Sequence, residues 1–178
     1  MIDNLPALNL LAYDQLLLKT MFLFAFSFAL RIGEITDSQH NLQVKQIVIS
    51  DNSLSVRFES YKHSTQSASS HIIQASGETH CIVSSTKAYL ALRGKKSGPL
   101  FVKNNKPISK RLFSAQLKQV LSLIGEGSKA ITSHSFRIGA ATHWVNAGHT
   151  DAQIKRMGRW KSNAFLNYIR GQVIHSVH

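Results

Sequence analysis

The sequence predicts an α+β fold, mainly α: a helical domain carrying a small antiparallel sheet of three strands. Three observations lead there. A long apolar stretch with helical spacing opens the chain, and a middle section alternates apolar and polar residues between turn signals. The remainder divides, at Ser and Thr caps and at glycines, into short helices. With 178 residues, 43% of them hydrophobic, the chain can bury a real core as one domain over residues 1–178.

Leu5 to Leu30 reads as one helix. Leu16, Leu17, Met21, Phe24 and Phe28 recur at helical spacing with more apolar residues between them, which suits a helix at the domain centre. Gly33 marks a bend, and Ile35 continues a short helix. Val44 to Ser50 is rich in Val and Ile and reads as a strand. Asp51-Asn52-Ser53 is turn chemistry, and Leu54 to Phe58 alternates with period two. His71 to Gln74 completes the sheet, after a polar connection from Ser60 to Ser70 that carries Lys62. Ser84 or Ser85 caps a helix running to about Leu92, with Gly94 and Gly98-Pro99 ending it. Ser109 caps the next, which stops at Gly125 and Gly127. Thr132 or Ser133 caps a helix from His134 to Ala147, and Gly148 follows. Thr150 opens a short helix closed by Gly158, and Ser162 or Asn163 opens the last, through Tyr168.

Lys plus Arg number 21 against 9 Asp plus Glu, for a net charge of +12. Charge of that size and sign points to nucleic acid. It is also clustered: Arg93, Lys95 and Lys96; Lys103, Lys106, Lys110 and Arg111; Lys155, Arg156, Arg159 and Lys161. Such clusters suit phosphate contacts that release counterions. The single cysteine, Cys81, excludes an intramolecular disulfide and a Cys-based zinc site, and no histidine pair has zinc-motif spacing, so no metal is expected. The apolar run from Leu16 to Leu30 is shorter than the roughly 20 residues a bilayer requires, and no basic stretch precedes it as in a signal peptide. No membrane partner is expected.

Three short motifs carry chemistry. In His134-Ser135-Phe136-Arg137, His and Arg share a helix face near its N-terminus, where dipole, free N–H groups and guanidinium together favour an anion. Arg31 directly follows the apolar helix, with Glu34 placed to orient its guanidinium. The run Gly158-Arg159-Trp160-Lys161-Ser162-Asn163-Ala164-Phe165-Leu166-Asn167-Tyr168-Ile169-Arg170 carries a Trp and a late Tyr. Taken singly, each also suits a salt-bridged arginine or a core aromatic.

Their order resembles the tyrosine recombinase (phage integrase) superfamily across Ala29 to Arg170, and the closing stretch is similar to recombinases of Crypton and DIRS mobile elements. Trp160 and Tyr168 are one residue closer than in many bacterial and phage members. The resemblance implies a catalytic domain of that fold with the family's N-terminal DNA-clamping domain absent. It implies that Arg31 is the first catalytic arginine, buttressed by Glu34, and that His134 and Arg137 are the histidine and second arginine. Trp160 stands at the His-or-Trp position, Tyr168 is the nucleophile, and Lys62 is the lysine of the strand connection, with Lys45 as an alternative. Tyr168 would form a 3′-phosphotyrosyl link and expel a 5′-hydroxyl, protonated by Lys62. Arg31, His134 and Arg137 would stabilise the transition state, and Trp160 would exclude water. No cofactor is needed.

The implied partner is double-stranded DNA, contacted by Lys103, Lys106, Lys110, Arg111, Arg159 and Lys161, with a homo-oligomer, a tetramer on DNA, for exchange between two duplexes. Location would be nuclear in a eukaryote and otherwise on cytoplasmic DNA. A DNA-binding module derived from a recombinase, inactive or partner-dependent, and a type IB topoisomerase are the alternatives.

Overall fold

The computed structural model describes residues 1–59, 68–94 and 96–169, apart from the side chains of Ala164 and Tyr168. Helix α1 (Ala12–Ser27) runs through the centre, where Met21, Phe22, Phe24 and Ala25 are fully enclosed. The expected single helix from Leu5 to Leu30 is broken at both ends. Residues Ile2–Leu8 form a separate 3-10 helix containing Pro6, and Asn9 turns left-handed behind it at φ 51°. Proline has no N–H to carry a helical ladder onward, and Asn tolerates the left-handed turn. At the other end Ala29 also has positive φ, at 45°. The Leu30 N–H bonds back to the Ala25 carbonyl and the Ala29 N–H to Phe26, a pattern that stops a helix and turns the chain. Arg31 emerges from that turn as the cap of α2 (Ile32–Ile35).

The sheet is antiparallel in the order β1 (Ile47–Ile49), β2 (Ser53–Phe58), β3 (Ser69–Gln74), with Val48 opposite Ser55 and Ser55 opposite Ile72. Leu54, Val56 and Phe58 of β2 face the core. The first strand is shorter than expected. Residues Val44–Gln46 form a 3-10 turn, where the Gln46 side chain accepts the Gln43 N–H and donates to the Arg57 carbonyl.

Helix α3 (Ile82–Arg93) begins before the expected serine caps, with Cys81 at its N-cap. Ser84 instead donates to the Cys81 carbonyl. A two-stranded hairpin, β4 (Val102–Lys103) and β5 (Lys106–Pro107), was not expected. Its turn residues Asn104 and Asn105 both have positive φ, which the Asn-Asn pair tolerates and the hairpin twist demands. Helices α4 (Lys110–Leu123), α5 (Ser133–Asn146) and α6 (Asp151–Gly158) follow behind caps at Ser109, Thr132 and Thr150, each accepting a first-turn N–H. A 3-10 helix, Asn163–Tyr168, packs on α5 and α6.

Helix α5 divides two cores. Phe136 stacks on Phe22 in the large one, with ring centres 5.4 Å apart. Ala140, Ala141 and Trp144 join Ile154, Trp160 and Phe165 in the small one. Among the described residues no helix is long and apolar enough to cross a membrane, and no three His, Cys, Asp or Glu side chains gather as metal ligands.

Candidate active site

Where the two cores meet, a cavity of about 520 Å³ opens between the end of α1, the start of α5 and the turn after α6. Its cationic lining is Arg31, Arg137, Arg159 and Lys161; its small polar lining is Ser133, His134 and Ser162; Leu30, Ile32 and Trp160 supply apolar walls. The end of α1 lies more than one hundred positions from the other two segments in sequence, and only the fold assembles them.

Helix α5 delivers its part through local geometry. The Thr132 hydroxyl accepts the His134 N–H at 3.3 Å, so the first turn is capped and its dipole points into the cavity. His134 is exposed there, and Arg137 lies one turn further in, 3% exposed. The Arg137 guanidinium donates from Nη1 to the Ala29 carbonyl and from Nη2 to the Gly158 carbonyl at 3.3 Å. It also lies 4.8 Å from the centre of the Trp160 ring. Carbonyls from two distant turns thus hold one planar group, which orients it more firmly than a lysine could be.

Glu34, expected to buttress Arg31, bonds to its backbone and to a second arginine. Its Oε2 accepts the backbone N–H of Arg31 at 2.6 Å, and its carboxylate is gripped by Arg159 Nη2 at 2.9 and 3.1 Å. Arg31 itself is exposed at the cavity mouth. Arg159, expected among the DNA contacts, lines the cavity but turns most of its guanidinium inward. It is 9% exposed, its Nη1 donates to the Phe28 carbonyl at 3.0 Å, and its guanidinium lies 3.8 Å over the Phe58 ring. The C-terminal end of α1, the negative pole of that helix, therefore takes two arginines.

The other basic clusters also divide. Lys103 pairs with the largely buried Asp14 at 2.6 Å, and Arg93 ties down the Leu100 and Pro99 carbonyls. Both anchor the fold around the hairpin, and Lys103, expected among the DNA contacts, keeps a part-exposed side chain beside Asp14. Lys106, Lys110, Arg111 and Lys161 are exposed. Lys45 pairs with Glu59 at the surface, at 3.7 Å. Lys62 lies outside the described residues. The backbone of Tyr168 closes the last 3-10 helix, and its phenol lies outside the described side chains. Ser133 and Ser162 were read in the sequence only as caps; their place beside an arginine pair was hidden because cap and ligand use the same residue type.

Beyond Phe58, His71 meets the ring edge-on at 5.3 Å. Burial first, then Arg159 and Arg156, lowers His71 from 6.5 to about 4, so it is neutral near pH 7. The unfolded chain binds this proton more readily, so stability is complete above pH 6.5 and falls as pH drops toward 4. The ring is part-exposed, so we expect a loss of only about 1 kcal/mol. Urea midpoints at pH 7.0 and 4.5 should separate less for His71→Gln than for the wild type; equal separation would contradict the assignment.

The mainly helical fold with its three-stranded sheet is that of tyrosine recombinase catalytic domains. It superposes on XerH site-specific recombinase bound to difH substrate with a TM-score of 0.74 at 13% identity, covering 96% of this chain and 47% of that one. XerA recombinase gives 0.63 at 17% identity, with 91% and 59% covered. Tn1549 transposon integrase in complex with a circular intermediate DNA gives 0.56 at 12%, with 87% and 55% covered. The chain spans about half the length of these structures. No curated protein matches it by sequence. The chain belongs to the phage integrase family, whose model matches residues 3–170.

Proposed function

We propose that this chain is the catalytic domain of a DNA recombinase that cleaves and rejoins strands through a 3′-phosphotyrosyl intermediate, of the Crypton or DIRS mobile-element kind. The observation that carries the reading is the cavity that gathers Arg31, His134, Arg137 and Trp160 at the N-terminus of α5. A phosphodiester in that cavity would meet two guanidinium groups, an imidazole and a helix dipole, which together oppose the charge of a pentacoordinate phosphorus. In this scheme the Tyr168 phenolate, its proton released to solvent, attacks phosphorus while the 5′-oxygen leaves and takes a proton from Lys62. The new ester keeps the bond energy, so a second 5′-hydroxyl can reverse the step. Trp160 closes one side against water. Double-stranded DNA and a tetramer on that DNA belong to the same proposal, as does a catalytic unit spanning residues 1–178. The DNA-bound state of the XerH and Tn1549 neighbours supports it.

The test is covalent trapping on nicked duplexes from the flanks of the gene, denatured in detergent, beside Tyr168→Phe. We expect a protein–DNA adduct that disappears in the variant. Salt-sensitive binding without an adduct would replace this reading with a non-catalytic DNA-binding module, and relaxation of plasmid without site preference would indicate a topoisomerase.

A further inference from the structure

We infer that Arg159 is a positioning residue: its buried pair with Glu34 sets the backbone from which Arg31 reaches the cavity. The inference rests on the function proposed above. Three observations carry it. First, the Glu34 carboxylate is shared, taking the Arg31 backbone N–H at 2.6 Å and the Arg159 guanidinium at 2.9 and 3.1 Å. Second, Arg159 also binds the Phe28 carbonyl at 3.0 Å, so one guanidinium holds one end of the turn from Phe28 to Arg31 directly and the other through Glu34. Third, Arg159 has a left-handed backbone, φ 56° and ψ 43°. Glycine adopts that conformation without strain, whereas a residue with a Cβ does not. A buried ion pair is itself weak evidence for stability. A strained, desolvated arginine here is better explained by what it holds in place.

The consequence is geometric. Arg31 is exposed, and its backbone carries the root of a long side chain. A displacement of about 1 Å at that root is enough to lower a rate by about 100-fold. Arg159 is also the residue between Gly158, whose carbonyl binds Arg137, and Trp160. The same pair therefore links the Arg31 turn to the wall opposite.

The experiment measures single-turnover adduct formation at saturating protein, and DNA affinity by anisotropy, for Arg159→Lys and Glu34→Gln. Each is made in wild-type and Arg31→Ala backgrounds. We expect either substitution to lower the rate about 30-fold with affinity changed less than about threefold. In the Arg31→Ala background the further loss should be less than about threefold, because no guanidinium remains to be placed. Equal losses in both backgrounds would mean a merely structural role and overturn the inference. A second arm needs no cleavage: inorganic phosphate titrated while the Trp160 indole N–H resonance is followed, assigned with Trp144→Phe. Phosphate affinity should fall about tenfold in Arg159→Lys and be unaltered by that change when Arg31 is already Ala. Should the wild type form no adduct, the strand-cleavage reading fails and this arm decides alone. Equal phosphate affinity in wild type and Arg159→Lys, or no shift in either, overturns the positioning role.

Discussion

Arg137→Lys should lower covalent adduct formation by about 100- to 1000-fold, while DNA affinity falls less than about tenfold. The charge survives this substitution and the fork does not. In the native protein the two terminal nitrogens bond to carbonyls of Ala29 and Gly158, and the guanidinium carbon lies 4.8 Å from the Trp160 ring centre. A lysine ammonium can reach one of these carbonyls and leaves the other buried without its donor. That orphan costs about 1–3 kcal/mol of stability. The measurement is therefore a single-turnover gel assay at a temperature well below the melting transition of the variant. A rate within about threefold of wild type would show that Arg137 is a scaffold only, and would remove it from the site.

Gly158→Ala is the second large effect, and it follows from space alone. A Cβ there would stand 1.8 Å from Cζ3 of Trp160, 2.1 Å from Cε3 and 2.3 Å from Cη2. The indole cannot yield cheaply. Trp144 meets it edge-on at 6.2 Å, Phe165 lies against it at 5.8 Å, and Phe165 is fully buried. Forcing the ring aside should cost about 3 kcal/mol, at the upper end of overpacking effects. It should also strip the cavity of its wall, so adduct formation is expected to fall with stability. Gly139→Ala is the matched control, because its Cβ would meet only the Phe26 ring, at 3.4 Å from Cε2 and 3.8 Å from Cδ2, an ordinary contact. That helical substitution should leave stability within about 1 kcal/mol or raise it. Denaturant midpoints for the two variants make the comparison. Equal midpoints would mean that Trp160 repacks freely and holds no fixed place in the cavity.

Some helix starts were legible one residue at a time. Ser109, Thr132 and Thr150 each sit just ahead of an apolar-periodic run, and each accepts a first-turn N–H. Capping is local chemistry, so one sequence suffices to find it. The break at the start of the first helix was also local, at Pro6 and Asn9, but the apolar periodicity around it is stronger than the signal of two residues. The hairpin at Asn104-Asn105 was hidden for the opposite reason: its strands are two residues each, too short to show a period.

The basic residues teach a harder lesson. Arg159 and Lys103 are written like Lys106 and Lys161, as cations among polar neighbours. Nothing local distinguishes a guanidinium that reaches Glu34, 125 positions away, or an ammonium that reaches Asp14, 89 positions away, from one left in solvent. The buried partners lie on α1 and α2, and their burial is a property of the packed core.

By itself, then, the sequence determined the fold class, most helix caps, the basic character of the surface and the order of Arg31, His134, Arg137, Trp160 and Tyr168 that marks the family. Those depend on residue type and on spacing within a few turns. Only the tertiary structure decided which cations reach buried acids and which stay in solvent, and that Glu34 holds Arg159 as well as the Arg31 backbone. The physical reason is that desolvation and hydrogen-bond partnership are set by groups distant in the chain, and a charge declares its role only once its neighbours are in place.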